Sequence, residues 1–163
     1  HLNKKKTCLL SQKEDMSSAL RLIQELADFE NEPDAVVVTE NDLIRDGFGP
    51  NSIFHCLVAE DEGKVVGMAL FYPRYSTWKG PTFHLEDLIV TQSQRGKGFG
   101  KDLYTAFIAY AAEKQVRRIE WVVLDWNTHA MDFYKRSGAD VLDDWKTVQM
   151  DEQAIAAYVK TSH

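Results

Sequence analysis

The chain has 163 residues and a formal net charge of −6 at pH 7. A domain of this length can bury a sizeable hydrophobic core, and the acidic balance argues against a nucleic-acid surface. No apolar run approaches the roughly 20 residues of a membrane span and no signal peptide is visible, so we expect a cytoplasmic protein without membrane attachment. We interpret residues 1–6 as an N-terminal extension or tag remnant and residues 7–163 as a single domain. Cys8 and Cys56 lie far apart, and we expect buried thiols in a reducing compartment rather than a disulfide.

The sequence up to residue 81 predicts three strands and two helices. Apolar, β-branched runs predict the strands, which lie at 8–10, 54–60 and 65–72. Cap residues followed by apolar positions predict the helices, the first after Glu14 or Asp15 and the second from Asp42 to about Asp46. A hairpin turn is expected at 61–64, and an aromatic-rich loop at 73–81.

The segment from Phe83 to Lys101 predicts a strand, a glycine-rich turn and a helix in direct succession. The apolar run 88–90 follows Glu86 and Asp87, and the turn reads Arg-Gly-Lys-Gly-Phe-Gly at 95–100. This order aims several backbone N–H groups at one point, and a helix N-terminus adds about half a positive charge there. We therefore predict an anion site, with phosphate as the leading candidate.

Spacing excludes two common phosphate loops at this turn. A Walker loop needs Ser or Thr after Gly-Lys, but Asp102 follows Lys101, and the alternating glycines do not match Gly-x-Gly-x-x-Gly. The remaining pattern, Arg95-x-x-Gly98-x-Gly100 after a strand, resembles the pyrophosphate loop of the GCN5-related N-acetyltransferases (GNATs), which bind acetyl-CoA. A glycine-rich turn without a ligand is the alternative interpretation.

The last third of the chain predicts further strands and helices. Strands are expected at 118–124, 141–142 and 145–150, and helices from Asn127 or Thr128 to Arg136 and at 151–159. Gly138 is predicted to end the first of these helices in the left-handed conformation. An antiparallel meander followed by a strand–helix–strand unit predicts an α+β fold with a mixed, mostly antiparallel sheet flanked by helices, as expected of the acetyltransferase fold.

Further segments resemble the diamine acetyltransferases, the spermidine/spermine N1-acetyltransferase family. These segments are 25–27, 46–49, 55–60, 85–87 and 133–135. Within the family, Tyr-Ser-Thr-Trp-Lys-Gly at 75–80 and Leu-Asp-Trp-Asn at 124–127 are more similar to the thialysine Nε-acetyltransferases. The resemblance covers most of the chain and implies acetyl-CoA as cofactor, a small-molecule primary amine such as thialysine, a diamine or a polyamine as substrate, and a homodimer.

The resemblance also implies two catalytic residues. A lysine-like amine is mostly protonated at neutral pH, and neutralising it in bulk water at pH 7.4 costs about 4 kcal/mol. Glu86 matches the position of the family's general base, and Tyr134 matches its tyrosine beside the thioester sulfur, which can protonate the departing thiolate. The alternatives are an ordinary strand-end carboxylate and a packing aromatic.

Binding residues follow from the same resemblance. The cofactor-binding residues are expected to be Leu88, Ile89, Val90, Arg95, Gly96, Lys97, Gly98, Phe99, Gly100, Lys101, Asn127 and Tyr134. The substrate-binding residues are expected to be Phe29, Glu30, Trp78, Glu86, Asp87, Glu120, Trp121 and Val122. Ser76 stands where the spermidine branch carries an aspartate, and Asp143-Asp144-Trp145 is shorter than the family's Glu-Gly-Trp region. The histidines lack ligand spacing, so we predict no metal.

Two rival functions would retain the glycine loop. A CoA-binding domain without efficient catalysis would keep the loop, but the presence of both Glu86 and Tyr134 favours an enzyme. An enzyme that acetylates a protein or peptide amine would use the same cofactor. The acidic end of the first helix and the Trp78 loop favour a small-molecule amine.

Overall fold

The computed structural model describes residues 7–161, which form five strands and five α-helices. The strands are β1 (Thr7–Leu10), β2 (His55–Asp61), β3 (Lys64–Ser76), β4 (Gly80–Val90) and β5 (Ile119–Glu120). The helices are α1 (Met16–Phe29), α2 (Glu40–Phe48), α3 (Phe99–Glu113), α4 (Thr128–Arg136) and α5 (Glu152–Thr161). The chain divides after Val122 into two compact units. The extension expected at residues 1–6 lies outside the described residues.

The first unit is built on one sheet with the strand order β1-β2-β3-β4-β5. The first four strands pair antiparallel, and β4 pairs with β5 in parallel. The β2–β3 hairpin turns through Glu62 and Gly63, whose φ angles of 52° and 80° suit a two-residue turn between twisted strands. The predicted α+β class and the mixed, mostly antiparallel sheet are confirmed.

Alternation along β3 divides the hydrophobic core between the two faces of the sheet. Phe71 packs on one face against Phe107 of α3, with ring centroids 4.9 Å apart. Met68 packs on the other face in a cluster that includes Leu22 of α1, and neither side chain has exposed surface. Complete burial of a leucine side chain stabilises a fold by about 1.5–3 kcal/mol. Both faces of the sheet are therefore covered, by α3 on one side and by α1 and α2 on the other.

Helix α2 begins earlier than predicted, because its N-terminal cap lies at Thr39, and it also ends later. Thr39 Oγ1 accepts a hydrogen bond from the Asp42 amide at 3.1 Å, and Asp42 Oδ2 accepts one from the Thr39 amide at 3.0 Å. This reciprocal capping box satisfies amides that would otherwise lack partners. The helix therefore starts at Glu40 and continues to Phe48.

The prediction of a loop at 73–81 is wrong, because β3 continues to Ser76 and β4 starts at Gly80. Pro73 is tolerated within β3 although proline donates no backbone hydrogen bond. The pairing of β2 with β3 ends at His55 and Phe71, so Pro73 lies beyond β2 on an edge where no donor is needed.

The predicted strand at 118–124 is reduced to Ile119–Glu120, which pairs only with Phe83 and His84. No strand forms at 141–142 or 145–150, where Leu142, Trp145, Val148 and Met150 are exposed. A strand requires a neighbour for its backbone hydrogen bonds, and propensity alone does not supply one. Within residues 7–161, these segments find no such neighbour.

The second unit contains α4 and α5, in which no residue is buried. Asn127 caps α4 as predicted, because its Oδ1 accepts a hydrogen bond from the Ala130 amide at 3.3 Å. Gly138 follows the helix with a φ of 102°, as predicted for a left-handed helix end.

Candidate active site

An irregularity in β4 places two consecutive carboxylates on one face of the sheet. Leu70 of β3 faces Asp87, but Phe71 faces Leu85, so Glu86 is an extra residue in β4. Leu85 and Leu88 both contribute to the core cluster on the α3 side. The two residues between them therefore lie on the opposite face, towards α1. A β-bulge commonly redirects side chains in this way.

Like charges meet at this bulge. Burial raises the pKa of Asp87 to about 7, with further contributions from the charges of Glu86 and Glu30. Burial, followed by the charge of Glu86, also raises the pKa of Glu30, the residue that ends α1. The sequence predicted all three as site residues, and the structure brings them close enough to interact. A cation among these carboxylates would relieve their repulsion.

Two residues that were not among the predicted substrate, cofactor or catalytic residues contact this cluster. The Tyr72 hydroxyl donates a hydrogen bond to Glu86 Oε1 at 3.1 Å, and His84 Nε2 lies 3.9 Å from the same oxygen. Tyr72 and His84 are directly opposite each other in the β3–β4 ladder. Only the strand register reveals this contact, and the sequence offers no local signal for it.

The glycine turn fits an anion. Gly96 and Gly98 have φ angles of 80° and 87°, a conformation that side-chain-bearing residues rarely adopt. Gly98 is the N-cap of α3 and no side chain caps the helix, so no capping side chain competes for the amides of Gly100 and Lys101. Phe99 is buried and anchors the turn in the core, while Lys97 and Lys101 are exposed. A phosphate group suits these donors and charges.

The end of α1 contacts the segment that leads into the glycine turn. Arg95 Nε donates to the Val90 carbonyl at 3.1 Å, and the guanidinium lies 5.8 Å from the centre of the Phe29 ring. Thr91 Oγ1 donates to Glu25 Oε1 at 2.7 Å. Phe29 and Arg95, which the sequence predicted for substrate and cofactor respectively, are therefore neighbours.

Strand β4 presents backbone groups beside the turn. Its pairing with β5 ends at His84, so within the described residues the edge of β4 that carries Leu88, Ile89 and Val90 has no strand partner. An extended ligand can pair with such an edge. Gly67 supports the same region from β3, because a Cβ there would lie 2.8 Å from the Ile89 carbonyl oxygen. A glycine inside a strand was the available signal for this close approach.

The remaining substrate-side candidates have diverse surroundings. Trp78 is 83% exposed at the tip of the β3–β4 hairpin, where Ser76 Oγ accepts hydrogen bonds from the amides of Trp78 and Lys79 at 3.2 and 3.1 Å. Trp121 packs edge-on against Tyr104 with ring centroids 5.7 Å apart, and Val122 is exposed.

Glu120 already has cationic partners in the folded chain. Its carboxylate pairs with Arg74 and lies 3.7 Å from Arg118 Nε. These pairs lower its capacity to attract a further cation. Asn127 and Tyr134, the two site candidates beyond residue 123, lie in the second unit as the cap of α4 and a residue within it.

The side chains and helices of residues 7–161 provide neither a metal-binding cluster nor a membrane-spanning helix. No group of three or more His, Cys, Asp or Glu side chains is arranged there to hold a metal ion. No helix in the same range has both the length and the apolar character needed to cross a membrane. Cys8 is partly buried and Cys56 buried, and both thiols are free.

The fold and the glycine turn fit an acyltransferase, and comparison with known proteins shows the family to which the chain belongs. The acetyltransferase (GNAT) family matches residues 18–139, and the chain belongs to this family. The chain is 22% identical to an integron cassette protein from the mobile metagenome of V. cholerae, with a TM-score of 0.78 over 96% of this chain and 98% of the other. This likeness confirms the predicted fold.

Relatives with assigned names show which members of the family the chain resembles. The chain is 40% identical to the thialysine N-epsilon-acetyltransferase of Bos taurus, over 86% of this chain and 89% of the relative. It is 36% identical to the enzyme of the same name from Caenorhabditis elegans, over 83% of this chain and 86% of the relative. The predicted membership of the GNAT acetyltransferases, with a resemblance to the thialysine and spermidine/spermine enzymes, is confirmed.

Proposed function

We propose that this acetyltransferase moves an acetyl group from acetyl-CoA to a primary amine of a small cationic molecule, with thialysine or a similar amino acid as the preferred acceptor and diamines or polyamines as further candidates. The observation that carries the proposal is the cluster of Glu30, Glu86 and Asp87, which lies in the same unit as the glycine turn. Three carboxylates with mutual repulsion suit an ammonium substrate better than a neutral one.

Acetyl-CoA would be held by the glycine turn and by the edge of β4. The amides at the start of α3, with Lys97 and Lys101, would bind the pyrophosphate, and the backbone at 88–90 would pair with the pantetheine. When bound there, acetyl-CoA supplies the activated acetyl thioester. Arg95 and Asn127 are further proposed cofactor contacts.

Glu86 would take the proton from the ammonium group, directly or through a water molecule. Its position on the bulge, next to Asp87 and with Glu30 nearby, supports this role, because the same charges that attract the ammonium surround the base. Tyr134 would return a proton to the departing thiolate, since a phenol can act as a general acid.

Substrate choice is proposed to depend on the β3–β4 hairpin. Ser76 is neutral and Lys79 adds a positive charge at the tip, where the spermidine branch carries an aspartate at the position of Ser76. Two unit charges about 4 Å apart interact by about 4 kcal/mol at an effective dielectric constant of 20, and by less when exposed. A cationic tip therefore disfavours a second ammonium and tolerates a carboxylate.

We further propose a single domain at residues 7–163, a cytoplasmic location and a homodimer. The resemblance to the diamine acetyltransferases motivates the dimer. The exposed apolar side chains in the second unit support it, because a second copy could cover them; they include Trp145, Val148, Ile155 and Tyr158.

The proposal is tested by measuring CoA release with a panel of amines and with two variants. Glu86→Gln keeps the shape and removes the base, and Tyr134→Phe removes the acid; each should lower kcat by roughly 100-fold or more with little change in acetyl-CoA affinity. Near-normal turnover of Glu86→Gln would mean that another group is the base. Binding of acetyl-CoA without turnover of any amine would favour the CoA-binding module, and turnover of peptide amines alone would favour a protein acetyltransferase.

A further inference from the structure

The carboxylate of Glu86 is held by a neighbouring strand. The Tyr72 hydroxyl on β3 donates to Glu86 Oε1 at 3.1 Å, and this bond crosses the bulge that directs Glu86 towards α1. The bulge leaves Glu86 without a directly paired residue on β3, and this hydrogen bond supplies a contact between its side chain and that strand.

The tyrosine is itself held in place by a ring contact. His84 lies opposite Tyr72 in the ladder, and the two ring centroids are 5.3 Å apart with an interplanar angle of 35°. His84 Nε2 is 3.9 Å from Glu86 Oε1, which is too long for a hydrogen bond. The histidine therefore supports the tyrosine ring, and the direct bond to the carboxylate comes from Tyr72.

We propose that Tyr72 is a positioning residue for acetyl transfer, which fixes Oε1 of Glu86 so that Oε2 is left to accept the proton of the amine. This inference rests on the proposed role of Glu86 as the general base. A general base must lie within hydrogen-bond reach of the proton that it removes, and a freely rotating carboxylate satisfies this geometry only part of the time.

The phenol remains a donor while the base is ionised. Burial, followed by the charge of Glu86 and the hydrogen bond to it, raises the pKa of Tyr72 above its ordinary value of 10.0. The other titratable groups that face Glu86 are His84 and Asp87 on β4 and Glu30 at the end of α1. A change confined to the Tyr72 hydroxyl leaves those three groups in place.

Tyr72→Phe keeps the ring beside His84 and removes only the hydroxyl. Loss of a hydrogen bond to the ionised carboxylate should move the acid limb of the kcat–pH profile upward by about one pH unit. On the plateau kcat should fall about tenfold, because orientation is lost, while KM for acetyl-CoA stays within about twofold. Tyr110→Phe is the matched control: its ring packs on the α3 face, 5.2 Å from the ring of Phe71, and it should keep the wild-type profile.

A double-variant cycle separates positioning from packing. In the Glu86→Gln background, adding Tyr72→Phe should change kcat by less than about twofold, because the residue that it positions is already disabled. A Tyr72→Phe profile identical to the wild type, or losses that multiply in the double variant, would overturn the inference while leaving Glu86 as the base. Near-normal activity of Glu86→Gln alone would instead refute the proposed role of Glu86 as the general base, and would leave acetyl transfer itself in place.

Discussion

Asp87→Asn is expected to stabilise the protein at alkaline pH and to do so progressively less as the pH falls. Burial, with the charges of Glu86 and Glu30, raises the pKa of Asp87 from 3.8 to about 7 in the folded protein. A group whose pKa is raised on folding contributes stability below its unfolded value, and that contribution is lost as the pH rises through the folded value. The wild type therefore loses stability through Asp87 between about pH 4 and pH 7. Asparagine does not titrate and avoids this loss.

The size of the effect follows from the same numbers. Each pKa unit corresponds to about 1.36 kcal/mol, so a rise from 3.8 to about 7 amounts to about 4 kcal/mol as an upper bound. The Asp87 residue is only partly buried, and solvent screens its charged neighbours. We therefore expect the stabilisation of Asp87→Asn relative to the wild type, measured as unfolding free energy, to be roughly 2 kcal/mol larger at pH 8.5 than at pH 5.

Urea unfolding of both proteins at pH 5 and pH 8.5 measures this gain. Burial and the charge of Lys114 lower the pKa of His55, which acts in the opposite direction, but His55 is present in both proteins and cancels in the difference. Asp34→Asn, at an exposed position after α1, is the control for the loss of a carboxylate outside the cluster. A gain for Asp87→Asn that differs by less than about 0.5 kcal/mol between the two pH values would refute the electrostatic reasoning.

Two further predictions concern specificity and assembly. Thialysine should have a higher kcat/KM than spermidine, and Ser76→Asp with Lys79→Ile should narrow or reverse that gap. Ser76→Asn with Lys79→Ile is the control that isolates the effect of the negative charge, because Asp and Asn at position 76 can both keep the hydrogen bonds to the hairpin amides. A tenfold preference of the wild type for spermidine would contradict the proposed role of the hairpin in substrate choice. Sedimentation should show a dimer with C2 symmetry, and a stable monomer at micromolar concentration would count against it.

Elements with local signals could be predicted from the sequence. The hairpin at Glu62 and Gly63, the Asn127 cap and the left-handed Gly138 each depend on residues within a few positions of one another. The glycine turn belongs to this group too, because the spacing of its glycines and the start of α3 lie in one continuous segment. The sequence pattern therefore placed the glycine turn at the start of a helix without knowledge of the rest of the fold.

Features that depend on distant partners could not be predicted in this way. Whether Pro73 lies in a loop or a strand depends on where β2 stops, and the length of β5 depends on how much of β4 it meets. The contact between Tyr72 and Glu86 needs both the β3–β4 register and the bulge. The sequence predicted Glu86 as a base through its resemblance to a family motif, whereas its contact with Tyr72 is visible only in the folded sheet.

The acidic cluster links stability to function. Burial and the charges of Glu86 and Glu30 raise the pKa of Asp87 to about 7. The ionised Asp87 side chain therefore destabilises the folded protein at the pH at which an amine would be acetylated. An ammonium among the three groups would neutralise part of the repulsion and favour the ionised form of Asp87. Amine binding should therefore stabilise the wild type more than Asp87→Asn, and the difference should grow as the pH rises towards 8. If the proposed function is correct, the burial and repulsion that are unfavourable for folding would be offset when a cationic acceptor binds.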